Sequence, residues 1–305
     1  MLIDRFNRKI TNLRISVTDA CNLNCFYCHK EGYCVKGSSP DVLSVEDIAE
    51  ITKAFYELGI KKVKITGGEP LLRKDILDII SVMPDFEEIS MTTNGTLLDK
   101  YAYELKDAGL NRVNISLDSL NPETYKKITG GELERVLSGL ESAVNAGLTP
   151  VKLNMVVMKE VNEDEIDDML EFTSKYNEDD VRVILQIIEL LKLPELEDYY
   201  MDISSIEERI AKKAINFRIR SMQKRKQYHL GSSVVEFVKP VDNTEFCYNC
   251  NRIRITKDGK IKPCLMRNDN LVDVRGLKGY ALKEKIFQAV NMREPYFKKK
   301  SREAR

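Results

Sequence analysis

The sequence has no net charge: 48 lysines and arginines balance 48 aspartates and glutamates. That excludes a general basic field of the kind that draws nucleic acid. It has no apolar run of membrane-spanning length and no apolar N-terminal segment of the signal-peptide kind. The expectation is therefore a cytoplasmic protein without a membrane or nucleic-acid partner. Histidine is scarce, at two residues, and neither His29 nor His229 completes an obvious zinc pattern. There is no low-complexity linker and no internal repeat beyond an alternation of strand and helix patterns. What is present is cysteine, seven in all. A reducing compartment argues against disulfides, so two clusters of cysteines read as metal ligands. Cys34 is left over and reads as a small buried or incidental thiol.

The alternation sets the fold class. Residues 12–18 are alternating and β-branched, which predicts a strand. Ser44-Val-Glu-Asp47 has the form of a capping box, followed by Ile48, Ile51, Phe55 and Leu58 at helical spacing and a Gly59 stop. Further strands are predicted at 61–66, 88–93, 112–117, 150–158 and 181–190. Helices are predicted at 76–83, 97–108, 133–146 and 163–175. Six strands alternating with helices imply a parallel sheet with right-handed crossovers. Six units fall short of the eight of a closed barrel. The expected fold is α/β, a partial (β/α)6 TIM-type barrel over residues 1–195. Residues 196–305 form a C-terminal segment of a helix and short hairpins that closes the barrel. The functional face should be the C-terminal ends of the strands.

The chemistry-bearing motifs fall at those ends. Cys21, Cys25 and Cys28 form a C-x3-C-x2-C set just after the first strand. Full ligation of an iron–sulfur cubane takes four cysteines, so a tight set of three leaves one iron open for chemistry. The alternatives are three buried thiols or a zinc site completed from elsewhere. Gly67-Gly68-Glu69-Pro70 follows the second strand. Its glycines let backbone approach a ligand closely, and Glu69 can accept from an ammonium group. Ser116 stands at another strand end. Cys247, Cys250 and Cys264 make a second set of three, with an Asp258-Gly259 turn that can fold Cys264 back toward the pair. A zinc knuckle is the alternative there too. Arg252 and Arg254, at i and i+2 of a predicted strand, share a face, and two guanidinium forks suit a polyphosphate. Arg14, Lys64 and Lys152 lie within strands. If they face the barrel interior they need an anionic partner.

The first cysteine set, with Tyr27 before the last cysteine, resembles the radical S-adenosylmethionine (SAM) superfamily. The chain over residues 5–280 resembles, more narrowly, the GTP 3′,8-cyclase family of molybdenum cofactor biosynthesis. Arg14-x6-Cys21-Asn-x2-Cys25-x-Tyr-Cys28, Lys64-Ile-Thr-Gly-Gly-Glu-Pro70, Thr92-Thr-Asn-Gly95, Asn114-Ile-Ser-Leu-Asp-Ser119, Val151-Lys-x-Asn154, Ile188-Glu-Leu190 and Cys247-x2-Cys250-Asn-Arg-x-Arg254 with Cys264-Leu265 carry it. The resemblance implies two 4Fe–4S clusters, one on Cys21, Cys25 and Cys28 with SAM, the other on Cys247, Cys250 and Cys264 with substrate. It implies SAM contacts at Tyr27, Gly68, Ser116 and Leu191. It implies GTP contacts at Arg14, Lys64, Thr92, Lys152, Arg252 and Arg254, with Ile253 by its backbone. It also implies a low-potential electron donor and a partner, cyclic pyranopterin monophosphate synthase, that takes the product; the protein itself would be a monomer or homodimer.

Four features depart from that family. Lys64 stands where arginine is usual and lacks the fork. Leu191 stands where methionine is common. Gln186 occupies a place usually held by arginine. The family's Gly-Gly end is replaced by a basic tail, 298–305, expected either to be a solvated end or to take that element's place. Two other functions compete. A radical SAM enzyme modifying a peptide would usually carry a longer, more cysteine-rich extension. A zinc-bound scaffold would be colourless and free of iron.

Overall fold

The structure, a computed structural model, describes residues 1–29, 42–220, 222–240 and 244–296. Cys34 and the basic tail lie outside the described residues. Six strands run parallel in chain order: β3 (Asn12–Ser16), β4 (Lys62–Thr66), β5 (Glu88–Thr93), β6 (Arg112–Ser116), β7 (Val151–Val157) and β8 (Val183–Glu189). They follow a hairpin of β1 (Leu2–Ile3) and β2 (Lys9–Ile10). β3 and β8 do not pair with each other, so the barrel is open, as a six-unit (β/α) pattern implies.

Strand alternation divides the sheet chemically. Leu13 and Ile15, Val63 and Ile65, Ile89 and Met91, Val113 and Ile115, Leu153 and Leu185 are buried in one continuous core. The intervening residues, among them Arg14, Lys64, Thr92, Lys152 and Gln186, face a cavity instead. Burying each large aliphatic side chain stabilises the fold by roughly 1.5–3 kcal/mol, so register is strongly held: a slip of one residue would turn the charged row into the core.

The helices are α1 (Val45–Glu57), α2 (Ile76–Ser81), α3 (Leu98–Asp107), α4 (Pro122–Thr129), α5 (Leu133–Asn145) and α6 (Ile166–Ser174). The capping box forms: Ser44 Oγ accepts from the Asp47 amide at 3.1 Å, and Asp47 accepts from the Ser44 amide at 3.4 Å. Gly59 follows at φ +91°, a conformation that stops the helix without strain. The predicted helix 163–175 begins as a 3-10 turn at Glu163–Glu165 before α6. Helix α4 was not expected. Asn121 caps it, accepting from the amides of Glu123 and Thr124, but it has only eight residues and one short apolar face.

The later part of the chain attaches to both edges of this sheet. β11 (Ser233–Val238) pairs parallel with β8 and carries β10 (Lys226–Leu230) and β9 (Asn216–Ile219) beyond it. β12 (Arg252–Ile255) pairs parallel with β3 and carries β13 (Lys260–Lys262) and β14 (Val272–Asp273). The hairpin turning at Asp258-Gly259 is the one the motif implied. The remaining helices are α7 (Ser204–Lys213), the short α8 (Thr244–Tyr248) and α9 (Gly279–Asn291), and α9 also was not expected. These additions cover the ladders of β3 and β8 and move the sheet's edges out to β14 and β9.

Candidate active site between two cysteine segments

The first cysteine loop is braced from three sides. Amides of Asn24 and Phe26 donate to the carbonyls of Thr129 and Ile128 at the end of α4, at 2.9 and 3.2 Å. Asn94 Nδ2, after β5, donates to Asn22 Oδ1 at 2.8 Å and reaches Cys21 Sγ at 3.9 Å. Tyr27 donates its hydroxyl to Asp118 Oδ2 at 2.7 Å, while Asp118 Oδ1 accepts from the Val156 amide. Asp118 is 1% exposed, and burial pushes its carboxyl up to about 6 against the pull of those two bonds. Burial raises the Cys25 thiol to about 12, with Asp118, Cys28 and Cys21 adding to the shift.

The glycine pair serves this loop. A Cβ on Gly68 would meet the Ala20 carbonyl at 2.2 Å, and one on Gly67 the Thr18 carbonyl at 2.5 Å. The amides of Gly68 and Glu69 donate to those same two carbonyls, Thr18 O and Ala20 O, at 2.8 and 2.7 Å. The close approach is thus of backbone to the cysteine loop itself. Glu69 is fully buried and does not await an ammonium group. Its carboxylate accepts from the Leu71 amide, the Thr93 hydroxyl and the Asn94 amide at 3.0, 2.8 and 2.7 Å.

The second segment is held by a buried ion network that sequence reasoning missed. Asp4, in the N-terminal hairpin, accepts from Arg8 Nε at 2.7 Å and Arg293 Nε at 2.9 Å. Arg8 also donates to the Cys247 carbonyl at 3.0 Å, and Arg293 to the carbonyls of Cys250, at 2.7 Å, and Arg252. The Asp4–Arg293 tie spans 289 residues and the Arg8–Cys247 tie 239, so no local pattern announces them. Burial acts to raise the Cys250 thiol, but Arg293, Arg254 and Arg252 outweigh it and lower the thiol to about 7.

Between the two segments lies a cavity of about 1170 Å³. Arg14, Lys64, Thr92, Lys152, Arg252 and Arg254 all line it, as do Tyr27 and Leu191. Cys247, Cys250 and Cys264 line it together; the thiols of the first loop, Gly68 and Ser116 do not. Ile253 is fully buried in the core, which leaves only its main chain for a ligand. Arg14 pairs in register with Lys64 on one side and Arg254 on the other. Lys64 donates to Asn114 Oδ1 at 2.8 Å. Burial, with repulsion from Arg112, Arg14, Lys152 and Arg252, pulls it well below the usual lysine range. Arg252 is likewise pulled down, by burial and then by Arg225 and Arg14. Such mutual repulsion is relieved by a polyanion. Thr92 Oγ1 is buried and without a hydrogen-bond partner among the described residues. Arg112, Arg220 and Arg225 add to the same wall; the sequence pattern did not single them out.

Each cysteine set offers three thiols that no disulfide ties up among the described residues. That donor chemistry fits a cubane with one open iron. Among the described residues, no three or more His, Cys, Asp or Glu side chains are arranged to hold a single metal ion; cubane thiolates bind different irons. No helix of the described residues is long and apolar enough to cross a membrane.

Residues 15–173 match the Radical SAM superfamily, and residues 183–299 match Molybdenum Cofactor Synthesis C. The chain is a member of the radical SAM superfamily. Within it, the chain belongs to the family of relatives named probable GTP 3′,8-cyclase. That of Archaeoglobus fulgidus is 55% identical, covering 98% of this chain and 100% of its own. That of Methanosarcina mazei is 49% identical, covering 97% and 90%. In fold, the chain is similar to SuiB of Streptococcus suis bound to S-adenosylmethionine, with a TM-score of 0.64 at 15% identity. That match covers 94% of this chain and 65% of SuiB. It is also similar to anSMEcpe with bound AdoMet, with a TM-score of 0.61 at 15% identity, covering 91% and 81%.

Proposed function

We propose that the chain is a GTP 3′,8-cyclase that converts GTP to 3′,8-cyclo-7,8-dihydro-GTP in molybdenum cofactor biosynthesis. The observation that carries this reading is the cationic wall between the two cysteine segments, in a chain about half identical to cyclases over nearly its full length. The product is an isomer of GTP: the C3′–H bond breaks and its hydrogen leaves on 5′-deoxyadenosine, a C3′–C8 bond forms, and N7 gains a hydrogen as one electron from the low-potential donor and one proton. Cys21, Cys25 and Cys28 would hold a 4Fe–4S cluster that, with SAM and one electron, would supply the 5′-deoxyadenosyl radical needed to take the C3′ hydrogen. Cys247, Cys250 and Cys264 would hold a second 4Fe–4S cluster, whose open iron would supply a Lewis-acid site for the purine.

The protein's own part is placement. Arg14, Lys64, Lys152, Arg252 and Arg254 bind the triphosphate and fix the ribose relative to the first loop. Thr92 offers its unused hydroxyl to the nucleotide. Tyr27, tied to Asp118, closes the SAM end with Leu191; Gly68 and Ser116 complete the SAM contacts. Residues 1–195 form the radical-generating unit and 196–305 the segment that supplies the second cluster. Delivery of electrons by a low-potential donor, and of product to cyclic pyranopterin monophosphate synthase, completes the reading.

The test is anaerobic reconstitution with iron and sulfide, then incubation with SAM, reductant and GTP. The expected result is a brown protein with about eight irons for two 4Fe–4S clusters, 5′-deoxyadenosine, and an isomer of GTP by mass. SAM cleavage with GTP untouched would refute the substrate.

A further inference from the structure

The second cysteine set is not held by the local structure that carries it. Cys247 lies in α8, a helix of five residues, far below the roughly 12–15 at which an isolated helix becomes even marginally stable. Cys250 and Cys264 lie in irregular chain, Cys250 ahead of β12 and Cys264 past β13. Tertiary contacts must therefore place the three thiols, and the main chain beside them shows which contacts do so. The Cys247 carbonyl accepts from Arg8 Nη1 at 3.0 Å, the Cys250 carbonyl from Arg293 Nη2 at 2.7 Å, and the Arg252 carbonyl from Arg293 Nη1. Between them, the Asn251 carbonyl accepts from the amides of Thr11 and Asn12 at 3.1 and 3.2 Å, and Asn251 Nδ2 donates to Thr11 Oγ1 at 2.9 Å.

One carboxylate aims both guanidiniums. Asp4 Oδ2 accepts from Nε of Arg8 and of Arg293, which turns the outer nitrogens of each fork to carbonyls. Asp4 is itself fixed, because its Oδ1 accepts from the amides of Phe6 and Arg8, each at 3.0 Å. All three side chains are buried, a setting that strengthens such bonds. Arg8 also donates to the carbonyls of Glu294 and Pro295, at 2.6 and 3.0 Å, just past α9. The third cysteine is tied to the same stretch: Asn270, in the chain after Cys264, donates from Nδ2 to the Met292 carbonyl at 3.1 Å. Both arginines line the cavity, yet every nitrogen of both forks already donates to the protein, which sets them apart from the cationic wall.

We propose that Asp4, Arg8 and Arg293 are positioning residues for the second cysteine set. Together with residues 292–295 they form a clamp that holds Cys247, Cys250 and Cys264 in place for a cluster. The bonds end on the carbonyls of two of the cysteines themselves, not on a helix or sheet that a general support would brace. The inference rests on the proposed reading of that set as cluster ligands, and it names the residues that make three thiols from irregular chain act as one site.

The experiment is reconstitution of the full chain with iron and sulfide. Iron analysis follows, with the rate of iron release to EDTA and EPR of the reduced protein with and without SAM. The variants are Arg293→Lys, Arg8→Lys and Asp4→Asn. Lysine keeps a positive charge near Asp4 but has no fork with which to reach the carbonyls as well. Asparagine keeps the shape of Asp4 and loses the charge that gathers two guanidiniums. Arg293→Lys should release the iron of one cluster about tenfold to a hundredfold faster than wild type. Iron should fall from about eight toward about four. The cluster that remains should still change its EPR spectrum when SAM is added. Arg8→Lys and Asp4→Asn should show the same selective loss, and they decide the matter if Arg293→Lys does not fold. Unchanged iron and release rate would overturn the inference, and so would loss of both clusters in step, which marks a support of the whole fold. Wild-type protein that fills both sites and loses one selectively in the variants, but leaves GTP uncyclised, would sink the substrate and keep the clamp. A cyclase whose second cluster is as durable in the variants as in wild type would do the reverse.

Discussion

Around the first cysteine loop the nearby charged groups include the carboxylates Asp118 and Glu69; around the second they are guanidiniums. Two thiols show the result. Cys25 is raised to about 12, with Asp118 among the causes after burial, whereas Cys250 is lowered to about 7 by Arg293, Arg254 and Arg252 against the same burial penalty. The two cysteine segments thus sit in opposite local fields. The second segment, whose three cysteines and flanking arginines line the cavity, suits a triphosphate. A substrate with its phosphates drawn to one end is oriented before any contact with its base is made.

Separate disruption of the ends is the strongest way to break that contrast. Cys25→Ser should abolish 5′-deoxyadenosine formation, while Cys250→Ser should keep SAM cleavage and lose the GTP isomer; product analysis by mass reads both. If Cys250→Ser still cyclises GTP, the second segment does not hold substrate.

Asp4→Ala attacks the support of the basic end alone. Arg8 and Arg293 would be left buried without their carboxylate, which costs about 3–5 kcal/mol. Urea denaturation should show this as a lower midpoint, and a shift below about 1 kcal/mol would show that Asp4 is not holding the segment.

Asp118 gives the acidic end a pH signature. Its folded value of about 6 lies above the ordinary 3.8. A raised acid adds stability that is full below about pH 3.8 and is lost as pH rises through about 6. The loss is about 3 kcal/mol. Asp118→Asn should flatten that part of the stability profile, measured by denaturation from pH 4 to 7. An unchanged profile would mean Asp118 does not titrate there.

The smallest effect is expected at the wall. Lys64→Ala should raise KM for GTP by about tenfold to a hundredfold, the loss of one charge-assisted contact, and leave SAM affinity unchanged. Equal loss of both ligands would remove the distinction between the two ends.

Local chemistry alone established a good deal here. The C-x3-C-x2-C and C-x2-C-x13-C spacings, the capping box at Ser44 and the alternation that puts Arg14, Lys64 and Lys152 opposite a core of isoleucine and valine are all short-range patterns. They sufficed for six parallel strands and for most of the cationic wall. Boundaries moved by a residue or two, since helix and strand ends are set by contacts outside the element. Helices α4 and α9 escaped because their apolar faces count only once something packs on them.

Tertiary structure decided what long-range pairing decides. β11 joins β8 and β12 joins β3, so Glu236 meets Lys152 and Gln186, and Cys250 meets Arg293, across 84, 50 and 43 residues. The Gly67-Gly68 pair reads as a ligand turn from the sequence, and only the fold shows the Thr18 and Ala20 carbonyls packed against it as well. A residue's type fixes what it can donate or accept. Only the closed fold fixes which partner stands there, because the free energy of each buried charge depends on neighbours that the chain brings together from opposite ends.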